Sequence, residues 1–192
     1  MNSSVHNEPV KYPRPLIGFA AFSGTGKTTL LLKLIPLLKA AGVRLAVVKH
    51  AHHAFDVDQP GKDSYRLREA GADEMLVASR RRMAWIRENE TDDEPTLRDA
   101  LAVLDPEGLD LVLVEGFKAD AFPKIELNRA SMQAPLLFLS DPNIVAIATD
   151  VETLVQEAGT LPVLLINDPE AIAAFILSFT GLGDQRTSHQ VR

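Results

Sequence analysis

The apolar run Leu16–Phe22 passes directly into Ala21-Phe22-Ser23-Gly24-Thr25-Gly26-Lys27-Thr28, and that octapeptide opens the helical pattern TTLLLKLIPLLKAAG. It matches G-x-x-x-x-G-K-S/T at every place but the first, where alanine stands for glycine. A strand before it and a helix after it are the setting such a loop needs to wrap a phosphate. Glycines let backbone N–H groups turn inward, and the helix start adds its positive dipole end. Ser23, Gly24, Thr25 and Gly26 would form the cradle, and Lys27 would reach the β- and γ-phosphates. The Thr28 hydroxyl would ligate Mg²⁺, and Thr29 could reach the α-phosphate.

The rest of the chain repeats the strand–helix alternation. LIGFAAF (16–22), RLAVV (44–48), EMLVA (74–78), LDLVLVE (109–115), NIVAIAT (143–149) and PVLLIN (162–167) read as strands. Several are apolar at consecutive positions, the pattern of strands covered on both faces. Helical patterns fall at 28–42, 63–71, 95–104 and 168–181, with Asp63 and Asp168 as N-caps, Pro169 at the first helical position, and Gly42 and Gly71 as stops. The expected fold is α/β, a mostly parallel P-loop NTPase-type sheet flanked by helices. RMAWIRE (82–88) and KIELNR (124–129) alternate more strictly and read as antiparallel or edge strands. Residues 1–15 read as a flexible lead, 16–180 as one nucleotide-binding domain and 181–192 as a tail.

Composition narrows the function classes. The 192 residues carry a net charge of −6, which argues against a broad nucleic-acid face. Cysteine is absent, which removes disulfides, thiolate metal sites and a cysteine nucleophile. The polar, proline-rich start has no apolar core of a secretory signal, and no apolar run approaches the roughly 20 residues that span a bilayer. All this is compatible with a cytoplasmic protein.

A phosphate loop needs an acidic partner from a neighbouring strand to complete the Mg²⁺ shell. Glu115, ending LDLVLVE, fills that place if its strand lies beside the first. Asp110 begins the same strand, roughly 15 Å away at ~3.3 Å per residue, and reads as a solvated strand start. RLAVV should run parallel to the first strand, so Lys49–Lys62 begins on the edge that holds the phosphate loop. Three readings of this loop stay open. His50, His52 and His53, with Asp56 and Asp58, have the donors of a metal site. Lys49, Lys62 and the histidines could face phosphate, with Asp58 or Asp63 toward Mg²⁺. The loop could also be merely polar.

The strings FSGTGKTTLL, VKHAHHAFDVDQPGKDSYRLREAGA, LVEGFK and PKIELNR together resemble the molybdopterin-guanine dinucleotide biosynthesis protein B (MobB) family, from about Leu16 to Ile172. The resemblance implies a GTP-binding homodimer with weak GTPase activity and Mg²⁺. It also implies an adapter role beside the guanylyltransferase that joins GMP to molybdopterin, with molybdopterin or its guanine dinucleotide as a further ligand. Carried over, it places Gly24–Thr29 on the nucleotide, gives Lys27, Thr28 and Glu115 the catalytic positions, and puts His50, His53, Asp58, Lys62 and Asp63 in the signature loop.

The guanine-reading motif N-K-x-D is absent, and Asn167-Asp168 is either a substitute for it or the start of the last helix. Ser79–Arg82 reads as a solvated basic hairpin turn. Lys118, Lys124 and Arg129 follow the Glu115 strand and could reach phosphates. Trp85 reads as core or dimer surface. Two other function classes stay in view: a small-molecule kinase, and a metallochaperone built on the histidine loop.

Overall fold

The computed structural model describes residues 8–51, 55–89, 91 and 93–183. Part of the expected lead and tail, together with His52 and His53, lies outside the described residues. In chain order the elements are β1 (Leu16–Ala20), α1 (Lys27–Ala40), β2 (Leu45–Lys49), α2 (Asp63–Glu69), β3 (Glu74–Ala78), β4 (Met83–Arg87), α3 (Leu97–Ala102), β5 (Leu111–Glu115), β6 (Lys124–Asn128), β7 (Ile144–Thr149), α4 (Leu154–Glu157), β8 (Val163–Leu165) and α5 (Pro169–Phe179). They fall into two compact units, a smaller one over 51–95 and a larger one from the chain on either side of it.

The larger unit is a six-stranded parallel sheet in the order β2-β5-β1-β6-β7-β8. Both faces are covered, which is why the strands are apolar at consecutive positions. On one face Ile17, Phe19, Leu113 and Ile125 pack with Leu34 and Leu38 of α1 and Ile172 and Ile176 of α5. On the other, Leu16, Val112 and Val114 pack with Leu97 and Leu101 of α3 and with Phe117 and Phe122. Each such side chain, fully buried, contributes about 1.5–3 kcal/mol. Helix α1 keeps Pro36 inside it. Pro36 is exposed, so water can satisfy the carbonyl that loses its bond. The helix ends with Val43 N–H donating to Leu38 O and Gly42 N–H to Lys39 O, the paired bonds of a Schellman turn.

Two sequence expectations need correction. KIELNR is neither antiparallel nor at an edge: β6 runs parallel between β1 and β7, with every residue buried. Two polar members of its alternation, Lys124 and Glu126, are buried with partners. Lys124, 2% exposed, pairs with Asp141 at 2.7 Å and donates to Lys118 O at 3.0 Å. Glu126 accepts from the backbone N–H groups of Leu137 and Phe138 at 2.9 and 2.8 Å. EMLVA forms β3, antiparallel to β4 across the expected Ser79–Arg82 hairpin turn, in a two-stranded sheet of the smaller unit with Leu76, Met83 and Trp85 exposed. Asp63 is not the N-cap of α2. Lys62 holds that place, because its carbonyl accepts the first helical bond from Arg66, and Asp63 stands in the first turn.

Within the smaller unit, Arg68 organises the loop before α2. Its guanidinium meets Asp56 at 3.0 Å, Asp58 at 3.5 Å and the Glu88 carboxylate. Burial would raise the Asp58 pKa, but bonds from Ser64, the Gln59 N–H and Arg68 outweigh it and hold the carboxyl below its usual range. Ser79–Arg82 forms the exposed β3–β4 turn, closed by Ser79 N–H to Arg82 O at 2.8 Å. No helix among the described residues is long and apolar enough to cross a membrane.

Candidate functional site

Charge at the helix starts singles out α1. Helices α2, α3 and α5 carry Asp63, Asp99 and Glu170 in their first turns, as the helix dipole favours. Helix α1 has no acidic residue there and begins on a lysine, Lys27. A cation at the positive end of a helix opposes folding and favours an anion. Gly24 and Gly26 have φ of 84° and 98°, left-handed values that turn the loop's backbone inward. Thr25, 1% exposed, locks the turn from inside, its hydroxyl donating to Phe22 O at 2.9 Å. The Lys27 ammonium donates to Ala21 O and Phe22 O at 3.2 and 3.1 Å. Burial lowers its pKa most, then Lys118, with Lys49 adding to the decrease and Glu115 opposing it. Ser23 and Thr29 are exposed at the same mouth.

Strand β5 lies directly beside β1 and brings Glu115 to the loop. Its carboxylate is 3.5 Å from the Thr28 hydroxyl and 2.9 Å from the Lys49 ammonium. Two hard oxygen donors, Thr28 Oγ1 and Glu115, therefore stand together, a donor set that suits Mg²⁺. His50 follows β2. Its N–H donates to Glu115 O at 2.8 Å and its ring stacks on Phe117, centroids 4.7 Å apart. Asp58, Lys62 and Asp63 belong to the smaller unit, where Asp58 holds Arg68 and the other two open α2.

The three basic residues after β5 separate cleanly. Lys124 is occupied by its buried pair with Asp141. Arg129 donates from Nε to Thr25 O at 3.0 Å, from one terminal nitrogen to Asp150 at 3.2 Å and from the other to Asn167 at 3.1 Å. It braces the phosphate loop against the ends of β7 and β8, a role no local pattern announces. The Lys118 ammonium stands 5.4 Å from the Phe22 ring centroid, at the loop itself. Asp168 caps α5, accepting from Ala171 N–H at 2.9 Å. Asp110 pairs with Arg44 at 2.8 Å, and this bond holds its pKa below the usual range.

The arrangement is a glycine-turned loop between β1 and α1, with Lys27, Thr28 and Glu115 gathered at the carboxyl edge of a parallel sheet. The family model of molybdopterin guanine dinucleotide synthesis protein B matches residues 16–150. The molybdopterin-guanine dinucleotide biosynthesis adapter protein of Escherichia coli is 46% identical over 86% of this chain and 93% of its own. The adapter protein of the same name from Haemophilus influenzae is 43% identical over 84% and 87%. The crystal structure of Bacillus subtilis MobB superposes with a TM-score of 0.66 at 26% identity, over 85% of this chain and 96% of its own. The chain thus belongs to the molybdopterin guanine dinucleotide synthesis protein B family, MobB.

Proposed function

We propose that this chain is a cytoplasmic GTP-binding adapter in molybdenum cofactor biosynthesis, acting as a homodimer beside the guanylyltransferase that joins GMP to molybdopterin. The observation that carries the nucleotide part is the unneutralised start of α1. Lys27 begins it, no acid stands in its first turn, and Thr28 is 3.5 Å from Glu115. Thr28 and Glu115 would hold Mg²⁺, which supplies charge neutralisation at the terminal phosphates. The names carried by the relatives support the pathway. Molybdopterin or its guanine dinucleotide would then come from the partner's chemistry.

The residues at the site support slow turnover. Arg129, an arginine bonded to the loop, already donates from each of its three nitrogens, to Thr25, Asp150 and Asn167, and no motif supplies a general base. The exposed Leu76, Met83 and Trp85 on the β3–β4 hairpin are the apolar surface a second copy would cover. Titration of the full chain with GTP and ATP, each with and without Mg²⁺, tests this reading. Tight GTP binding that needs Mg²⁺, weaker ATP binding and phosphate release without an added acceptor are expected. Preference for ATP, or release that depends on an acceptor alcohol, would favour a kinase and overturn it.

A further inference from the structure

The turn after β5 is Glu115-Gly116-Phe117-Lys118, and it is strained. Gly116 has φ 101° and Phe117 φ 52°. A bulky aromatic residue rarely occupies the left-handed region, and it persists there only when its surroundings over-determine it. Here they do. Phe117 is buried and stacks on His50, and its carbonyl accepts from Asp120 N–H at 3.1 Å. The Lys118 carbonyl accepts from the buried Lys124 ammonium at 3.0 Å, itself fixed by Asp141 at 2.7 Å. The backbone on both sides of Lys118 is therefore anchored in the core, while its side chain is exposed at the phosphate loop.

The side chain lands at one residue. The Lys118 ammonium lies over the Phe22 ring at 5.4 Å, and the Phe22 carbonyl accepts from the Lys27 ammonium at 3.1 Å. Two cations thus converge on Phe22, where their mutual repulsion contributes to the lowered Lys27 pKa. An exposed cation–π contact is too weak to draw the Lys118 ammonium toward a second cation by itself. The arrangement makes chemical sense for a dense anion. β5 flanks β1 on the side of Thr28 and Glu115, where a P-loop holds the terminal phosphates.

We propose that Lys118 is a specificity-determining residue of this site, its ammonium reading the terminal phosphate and so favouring a nucleoside triphosphate over the diphosphate. The inference rests on the nucleotide-binding reading above. Lys27 neutralises charge common to both ligands, and Lys118 adds a cation that the triphosphate alone can use fully.

Isothermal titration of the full-length protein with GDP and with a non-hydrolysable GTP analogue, in Mg²⁺, tests it. Lys118→Ala should lose about tenfold in triphosphate affinity, the scale of one charge-assisted bond, and leave diphosphate affinity unchanged. Lys118→Arg keeps the cation and should restore most of the difference. Thermal melts should match the wild type, because the side chain is exposed. Equal losses for both nucleotides, no loss for either, or an arginine variant as weak as alanine would overturn the proposal. If the wild type binds neither nucleotide, the P-loop reading falls and this one with it. If the wild type binds and Lys27→Ala does not, while Lys118→Ala binds like the wild type, only this proposal fails.

Discussion

Gly116→Ala puts a number on the packing between the β5 turn and His50. At φ 101° any side chain is strained, at about 1–2 kcal/mol. A Cβ added there would also lie 2.5 Å from His50 Cβ and 3.4 Å from the His50 Cα and N. Relief by backbone shift costs about 1–3 kcal/mol, as for other overpacked sites, so the total is about 2–5 kcal/mol. The two parts can be separated. His50→Gly destabilises the protein on its own, through loss of the Phe117 stack, but it removes the atom that clashes. In that background Gly116→Ala should cost only the conformational part, about 1–2 kcal/mol. The double-mutant cycle then shows a coupling of about 1–3 kcal/mol. Urea unfolding followed by far-ultraviolet circular dichroism, with equal m-values as the check on two-state behaviour, measures all four proteins. A Gly116→Ala cost under about 0.5 kcal/mol, or the same cost in both backgrounds, would refute the assignment of His50 as the wall of this turn.

Other consequences can be checked with the same preparations. Lys124→Met leaves Asp141 without its cation and should destabilise by about 3 kcal/mol, the low end for a broken buried pair because Asp141 is 23% exposed. Urea midpoints measure this. Burial raises the Glu126 pKa, against the opposing bonds from Leu137 and Phe138. The folded state therefore holds that proton more tightly than the unfolded chain. Its contribution to stability is full below the ordinary carboxylate range and is lost as pH rises through the raised value. Glu126→Gln should flatten that slope in a pH series of melts, whatever its effect on the plateau. Arg129→Ala releases the Thr25 carbonyl and should weaken di- and triphosphate binding alike, by about tenfold in titration. A loss confined to the triphosphate would show contact with phosphate in place of bracing.

Much of the fold was legible because its signals are local. The phosphate loop joins a strand to a helix within a dozen residues, and doubly covered strands announce themselves by consecutive apolar positions. Glu115 could be placed beside Thr28 because a motif names one partner and topology the other. The misreadings have a common cause in distance along the chain. The alternation of β6 looked like a solvated edge because the partners of Lys124 and Glu126, at Asp141 and Leu137–Phe138, come from a later loop. Arg129 is likewise explained by Thr25, Asp150 and Asn167, none of which a local pattern connects. The hairpin of EMLVA and RMAWIRE was legible from the basic turn between them, but the exposure of its apolar side chains was not, because apolar sequence reports a need for cover without naming what provides it. His50 could be read as ligand, phosphate contact or loop. The structure makes it the stacking partner of Phe117.

In the proposed function, the loop before α1 binds the phosphates of GTP through Lys27. Titration of Mg²⁺-GTP into wild type and Lys27→Ala tests it most directly, with circular dichroism and a thermal melt confirming that both are folded. The substitution should lower affinity by about a hundredfold while the fold is kept, because among the described residues Lys27 hydrogen-bonds to loop carbonyls alone. Equal GTP affinity in the two proteins would contradict it.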